Sequence, residues 1–511
     1  MPLDLAFGVD NVNGLFAVFM PRQPTLTYDR GTLILHPPPR GKDWLDHVIW
    51  DDRIEKFRAA ALQYRNLITV LHQCKASVED KAKAYQGLTL NANLAIKPYP
   101  HQQEALDAWQ RQGKRGVVVL PTAAGKTYLA QLAMQVVQQS TLILVPTLDL
   151  MHQWYANLLA AFPDAEIGLL GGGSKDRTPI LVSTYDSAAI QAETLGNLYG
   201  FIVFDECHHL PGEFYRTIAE YSIAPYRLGL TATPERSDGK HADLAELIGA
   251  EVYRKTPEEL AGLALAEHKI IQKRVKLSPA ERDRYDELIQ TRNTFLQDKN
   301  ITLGSLKGWQ MFVRESARSQ AGRRAMLAHR EARAIAFGTE GKLQVLADLL
   351  AEHFPERILI FTDDNATVYR ISLDFLIPAI THQTPVKERH EILQKFREGT
   401  YPTIITSRVL NEGVDVPEAR IAIVLSGTGS TREYVQRLGR ILRKGTSETK
   451  LALLYEVIAE ETAEENVSRR RSAKSKAKPP SRQLELVPMP EPWQSVPRAA
   501  EASPQWNEPN P

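Results

Sequence analysis

The chain has 511 residues, 43% of them apolar and 24% charged. These are the proportions of an ordinary globular protein, and they exclude a collagenous, wholly disordered or disulfide-scaffold chain. Lys plus Arg is 62 against 61 Asp plus Glu, a net charge of +1, so affinity for nucleic acid would have to come from a local basic groove rather than from the whole molecule's field.

At roughly 100–200 residues per domain, three or four domains are expected. The two cysteines, Cys74 and Cys207, fit a reducing cytoplasm. The first residues, MPLDLAFGVD, lack the basic start and apolar run of a secretory signal. No apolar stretch approaches the ~20 residues needed to span a bilayer, so no membrane partner is expected.

Residues 1–95 read as a small N-terminal accessory α+β module. FAVFM and TLILH have strand composition, with turn chemistry at Asp29-Arg30-Gly31. A helix is predicted over about 52–72, where Ile54, Phe57, Ala61, Tyr64, Leu67 and Ile68 follow a 3.6-residue period. This module carries no catalytic constellation.

From 96 to 270 short apolar runs alternate with amphipathic helices. Val117-Val118-Val119-Leu120 is a buried-strand run, and Leu129, Leu132, Ala133, Val136 and Val137 line one helical face. Further strands are predicted at 142–145, 180–182, 201–204 and 227–230. Such alternation predicts an α/β domain with a parallel sheet covered on both faces.

Residues 271–340 lose the strand pattern and form a helical, mildly basic insertion, opened by the cap Ser278-Pro279-Ala280-Glu281. Strand–helix alternation resumes over 341–465 as a second α/β domain. Residues 466–511 hold 9 of the 31 prolines with eight basic and four acidic side chains. Without apolar periodicity this tail is expected to be disordered.

The segment PTAAGKT, residues 121–127, stands between a strand and a helix, the context of a phosphate-binding loop. There the N–H groups of Thr122, Ala123, Ala124 and Gly125 and the helix dipole favour an anion. Lys126 would reach the β- and γ-phosphates of ATP and Thr127 would hold Mg²⁺. Leu120 and Ala123 stand where the long pattern has glycines.

The strand FIVF ends in Asp205-Glu206-Cys207-His208-His209. A carboxylate at the C-terminal end of a parallel strand lies at the mouth of the ligand crevice. Asp205 is placed to hold Mg²⁺, and Glu206 to orient and deprotonate the attacking water. A zinc site at Cys207, His208 and His209 would need three consecutive side chains to face one ion. In the second α/β domain QRLGRILR, residues 436–443, puts Arg440 and Arg443 on one helical face, with Gln436 beside them. Arginines supplied across a cleft stabilise charge on a transferring phosphoryl group.

Taken together, in this order, these segments resemble a superfamily 2 helicase or translocase built on two RecA-like domains, and the likeness covers about residues 97–457. Gln102, in PYPHQQEAL, matches the adenine-reading glutamine. VPTLDLMHQW at 145–154 and STYDS at 183–187 resemble nucleic-acid-contacting segments, implying roles for Pro146, Thr147, Ser183 and Thr184. LTATP at 230–234 resembles the element that couples hydrolysis to strand movement. IFTDD at 360–364 and NEGVDVPEA at 411–419 resemble second-domain motifs, which place Gly413 and Asp415 near the nucleotide and Thr406 near the nucleic acid.

Within that superfamily the likeness is to the XPB-type repair and promoter-opening enzymes, whose N-terminal module is damage-recognition-like. The supporting residues are VPTLDLMHQW, the DECHH box and WDDRIEKFRAAALQYR at 50–65. The family's Arg-Glu-Asp triplet appears as Arg236-Ser237-Asp238, so only Arg236 and Asp238 carry over. The helical insertion falls where the family has a thumb-like element that would grip a duplex through Arg318, Arg323 and Arg324.

The implied function is ATP-dependent DNA translocation or unwinding in the cytoplasm, on duplex, forked or bubble DNA, with a nuclease partner. Gln483-Leu484-Glu485-Leu486-Val487 resembles a short sliding-clamp-binding peptide. Two alternatives stay open: an RNA-dependent ATPase of the same architecture, and a nucleic-acid-binding scaffold that binds ATP without hydrolysing it.

Overall fold

The computed structural model describes residues 23–91, 97–236, 238–260, 268–303, 306–407, 419–426 and 452–465. The N-terminal module is a five-stranded sheet of β1 (Thr25–Asp29), β2 (Thr32–His36), β3 (Ile49–Asp51), β4 (Lys56–Ala60) and β5 (Glu79–Asp80), in the order β3-β4-β2-β1-β5.

The helix expected over 52–72 is corrected in its first half. Residues 56–60 form β4, which pairs antiparallel with both β2 and β3, and only Tyr64–Gln73 is α-helical. Two available strand edges outweigh a local period that Phe57 and Ala59 satisfy equally well as alternation. The strand paired with β2 across the Asp29–Gly31 turn is β1; FAVFM lies outside the described residues.

This module is fastened to the domain that follows. Ile223 of that domain is buried among Leu26, Leu33, Leu67 and Leu71 of the module. Tyr28 donates its hydroxyl hydrogen at 2.9 Å to the carbonyl of Tyr221, and Arg65 donates to the carbonyl of Gly113 at 3.0 Å. Gly31 has φ +90, and a Cβ there would sit 2.5 Å from the Tyr221 ring. Only glycine satisfies both that backbone and that approach.

The first α/β domain carries β6 (Arg115–Val119), β7 (Thr141–Val145), β8 (Ile167–Gly171), β9 (Ser174–Lys175), β10 (Ile180–Thr184), β11 (Phe201–Asp205), β12 (Tyr226–Thr231) and β13 (Glu251–Arg254). Their order is β13-β6-β12-β11-β7-β10-β8-β9, parallel except for the antiparallel β8–β9 pair. Alternate residues bury on opposite faces. Val118, Ile143, Val182 and Val203 pack against the helices Lys126–Val137 and Leu148–Ala161. Val117, Leu142, Leu181 and Ile202 pack on the other side. Strands buried on both faces read as unbroken apolar runs.

The second sheet contains β14 (His268–Val275), β15 (Ile358–Phe361), β16 (Ala379–Ile380), β17 (Thr403–Thr406), β18 (Ile421–Val424) and β19 (Ala452–Ala459). It is parallel throughout, in the order β14-β19-β18-β15-β17-β16. The expected boundary at 270/271 falls inside β14, which pairs with β19. Between β14 and β15 stand the helices Pro279–Asp298, Leu306–Ser316, Gln320–Gly338 and Glu340–Glu352. Arg323 and Arg324 are exposed on the third of them, and Arg318 in the connection before it. No helix among the described residues is long and apolar enough to cross a membrane.

The strand ends of the second sheet are held by a buried ion pair. Lys342 is almost fully buried and donates at 2.6 Å to Glu464 and at 2.5 Å to the carbonyl of Leu425. Removing one member leaves the other charge buried without its partner. Lys342→Met is therefore expected to destabilise by about 3–5 kcal/mol, and Lys342→Met with Glu464→Leu to recover most of the loss. Chemical denaturation of the three proteins checks this.

Candidate nucleotide and nucleic-acid site

β6 feeds the loop 120–125, and the helix Lys126–Val137 leaves it. Leu120, in place of a glycine, is fully buried, with its N–H bonded to the carbonyl of Thr231. Ala123 adopts φ +67 and Gly125 φ +80, so the loop makes its left-handed turns with or without glycine. A left-handed non-glycine residue costs on the order of 1–2 kcal/mol. The Thr122 hydroxyl is buried with no hydrogen-bond partner. An orphaned donor beside a helix N-terminus suits an anion.

Two side chains brace the loop from behind. Gln102 receives the N–H of Tyr99 at 2.9 Å and donates to the carbonyls of Ala124 and Gly125 at 3.3 and 3.4 Å. His101 contacts the Ala124 carbonyl at 2.9 Å. Both ends of the Gln102 amide are thus engaged within the chain, and contact with adenine would require those bonds to exchange. His101 was invisible in the sequence, where a lone histidine before a glutamine has no signature.

β11 ends in Asp205, only 5% exposed. Its carboxylate accepts the indole N–H of Trp154 at 2.8 Å and the N–H of Glu206 at 3.0 Å. Its carbonyl accepts the Tyr185 hydroxyl at 2.9 Å. Burial, reinforced by the charge of Glu206, pushes the Asp205 carboxyl up to about 6, against the opposing pull of Lys126 and Trp154. A bound cation would act in the same sense as Lys126, favouring the charged form. Glu206 has φ 47, a left-handed turn that swings its carboxylate to the loop. It lies 3.5 Å from Lys126, 3.4 Å from His208, and accepts from Thr231 at 3.3 Å. Lys126 also reaches the Leu120 carbonyl at 3.4 Å, and Thr127 follows in the first turn of the helix. The loop, Lys126, Asp205 and Glu206 therefore meet at one sheet end, an ammonium and two carboxylates of the chemistry that suits a cation-bound phosphate.

The expected nucleic-acid residues divide. Thr147 caps the helix Leu148–Ala161 by accepting the N–H of Leu150 at 3.3 Å, with Pro146 preceding it. Thr184 caps the helix Tyr185–Ile190 in the same way. Ser183 and Thr406 are fully buried, their hydroxyls donated to backbone carbonyls. At both positions the hydroxyl is thus already engaged by a main-chain carbonyl of this chain. Arg236 is also engaged. It forms a fork with Asp238, at 2.9 and 2.7 Å, and donates to the carbonyl of His208 at 2.7 Å. The same fork holds the Asp238 carboxyl well below the usual range.

Among the described residues, an ion pair joins the two α/β domains at this end. Arg389, on the helix Val386–Glu398, contacts Asp149 at 3.0 Å, within the segment 145–154. Arg333 of the helical insertion contacts Asp363 of the IFTDD segment at 2.9 Å. Gly413, Asp415, Gln436, Arg440 and Arg443 lie outside the described residues.

Comparison with known proteins agrees with this architecture. Residues 26–82 match the Xeroderma pigmentosum group B helicase damage recognition domain. Residues 95–236 match the type III restriction enzyme res subunit, and 341–445 the helicase conserved C-terminal domain. The chain is 42% identical over 423 residues to the DNA 3'-5' translocase XPB2 of Sulfurisphaera tokodaii, covering 83% of this chain and 95% of that one. It is 30% identical to the DNA 3'-5' helicase XPB of Kineococcus radiotolerans, covering 80% and 68%. Against the XPB/SSL2 helicase/translocase subunit of Saccharomyces cerevisiae, a general transcription and DNA repair factor IIH component, it is 27% identical and spans 44% of that protein. In fold it resembles the Hef helicase domain of Pyrococcus furiosus, with TM-score 0.52 at 18% identity, covering 72% of this chain and 97% of that one. The chain belongs to the XPB-type branch of the superfamily 2 DNA helicases and translocases, a family of ATP-hydrolysing enzymes.

Proposed function

We propose that the chain is an ATP-driven DNA translocase or helicase of repair or duplex opening, whose hydrolytic centre is Lys126, Thr127, Asp205 and Glu206. The observation that carries this reading is the convergence of Lys126, Asp205 and Glu206 on the loop 120–125 at the end of β11. Lys126 would neutralise the β- and γ-phosphates, and Thr127 and Asp205 would hold Mg²⁺. The ion would supply charge neutralisation on the transferring phosphoryl group. Glu206, held by Thr231 and His208, would orient the attacking water and take its proton. Arg440 and Arg443, with Gln436, would close on the triphosphate from the second domain, beside Gly413 and Asp415. Loss of the γ-phosphate would then release that closure and change the grip on DNA.

Pro146, Thr147 and Thr184 stand at helix starts, where main-chain N–H groups suit phosphates. Contacts of that kind make binding independent of sequence and steeply salt-dependent. Work beside a nuclease in the cytoplasm rests on the family likeness, and the clamp-binding reading on residues 483–487 alone, outside the described residues.

Lys126→Ala is expected to abolish DNA-stimulated phosphate release with unchanged melting. Glu206→Gln should bind nucleotide but turn it over at least 100-fold more slowly, of the order associated with losing a general base. Full turnover in Lys126→Ala would remove this site. Stimulation by RNA but not by duplex, forked or bubble DNA would favour the RNA-dependent alternative, and no hydrolysis on any of them the scaffold.

A second prediction concerns the loop. Gly125→Ala would place a methyl group onto the Gln102 amide at a left-handed backbone position. It is expected to weaken nucleotide binding by tenfold or more, whereas Ala123→Gly, at φ +67, should bind at least as well as the parent. Equilibrium titration with a fluorescent nucleotide measures both.

A further inference from the structure

Trp154 is 1% exposed and, among the described residues, is the side chain that donates to the Asp205 carboxylate. It lies on the helix Leu148–Ala161, whose buried face is Met151, Trp154, Leu158 and Ala161. The same helix begins at the Thr147 cap with Leu148 exposed and Asp149 paired to Arg389. Six residues of helix, about 9 Å, separate that outward-facing start from the indole. One helix therefore begins at a partly exposed turn, in the segment expected to meet nucleic acid, and reaches inward to the acidic group of the nucleotide site.

A carboxylate offers about four lone-pair sites. The indole takes one on Oδ2 and the Glu206 N–H takes one on Oδ1, which fixes the plane of the group and leaves a lone pair on each oxygen. Partners that orient a ligating carboxylate commonly change metal affinity or activity by ten- to a hundredfold when removed. The simpler account is that a core tryptophan has merely found an acceptor for its N–H.

We propose that Trp154 is a positioning residue for Asp205: its N–H holds the carboxylate in the orientation that receives the metal–nucleotide complex, and its helix is the arm through which a bound strand acts on that carboxylate. The inference rests on the nucleotide-site reading above. Tyr185 provides the internal contrast, because it grips the Asp205 carbonyl and not the carboxylate.

The test is the factor by which Mg²⁺ tightens binding of a fluorescent ADP, in the parent, Trp154→Phe and Tyr185→Phe, with melting curves for each. Trp154→Phe is expected to lose about tenfold or more of that Mg²⁺ enhancement, to keep its metal-free affinity, and to lose stimulation of hydrolysis by DNA. Tyr185→Phe should keep the enhancement. A folded Trp154→Phe with the parental enhancement overturns the inference, and so does an equal loss in both variants, which would mean packing alone. If Trp154→Phe does not fold, benzothienylalanine at position 154 retains the shape and lacks the N–H, and the same outcomes apply. Lys126→Ala run alongside separates the two readings. If it still binds and hydrolyses, the nucleotide site itself is misassigned; if it is inactive while Trp154→Phe behaves as the parent, only the positioning role falls.

Discussion

A carboxylate buried at the end of a central strand is the constraint around which this molecule is arranged. β11 is buried along its whole length, so Asp205 emerges into a low-dielectric setting that disfavours its charge. The chain answers with the Trp154 indole, the Glu206 N–H and the nearby Lys126 ammonium. On a continuing strand Glu206 would point to the opposite face of the sheet. Its left-handed backbone turns it instead toward Lys126, at a strain of about 1–3 kcal/mol of the kind concentrated at functional sites. Two adjacent acids thereby serve one crevice in two orientations.

The same strand end is wired to three segments of the first α/β domain. Trp154 and Tyr185 reach Asp205 from the helices that start at Leu148 and Tyr185. Thr231 touches both Glu206 and His208, at 3.3 and 3.1 Å, and caps the N–H of Thr233. Arg236 then joins the His208 carbonyl to Asp238. A displacement of any of these segments must break or stretch a hydrogen bond to residues 205–208. These are contiguous, short-range bonds, the physical means by which a change at a phosphate could be felt at a strand contact.

Much of this was legible in the sequence, and the reasons differ by residue. The parallel strands were visible because both faces are buried, so VVVL, LILV and FIVF appear as apolar runs. The phosphate loop was visible because Lys126 and Thr127 follow glycine between a strand and a helix. Lys56–Ala60 was not, because five residues with three apolar positions satisfy either period until β2 and β3 offer their edges. Ser183 and Thr406 matched positions of nucleic-acid-contacting segments, but burial follows from tertiary packing and not from residue type. Arg236 matched a family triplet, yet its guanidinium partner at His208 is 28 residues away, a distance no local pattern encodes.

The N-terminal module shows how such non-local contacts limit motion. Its own core is small, and Ile223 from the neighbouring domain completes it. Tyr28 and Arg65 add bonds to main-chain carbonyls at Tyr221 and Gly113, acceptors that persist whatever side chains occupy those positions. Rotating the module as an independent body would expose Ile223 to water and exchange the Tyr28 and Arg65 bonds for bonds to solvent, the apolar exposure alone costing about 1.5–3 kcal/mol. The damage-recognition-like module and the first α/β domain therefore share one packed core around Ile223. Contact with the second domain includes Asp149–Arg389, a partly exposed ion pair of the kind that exchanges readily with solvent, beside apolar packing in which Leu359, Phe361 and Phe396 belong to the same cluster as Val118 and Ile143 of the first sheet.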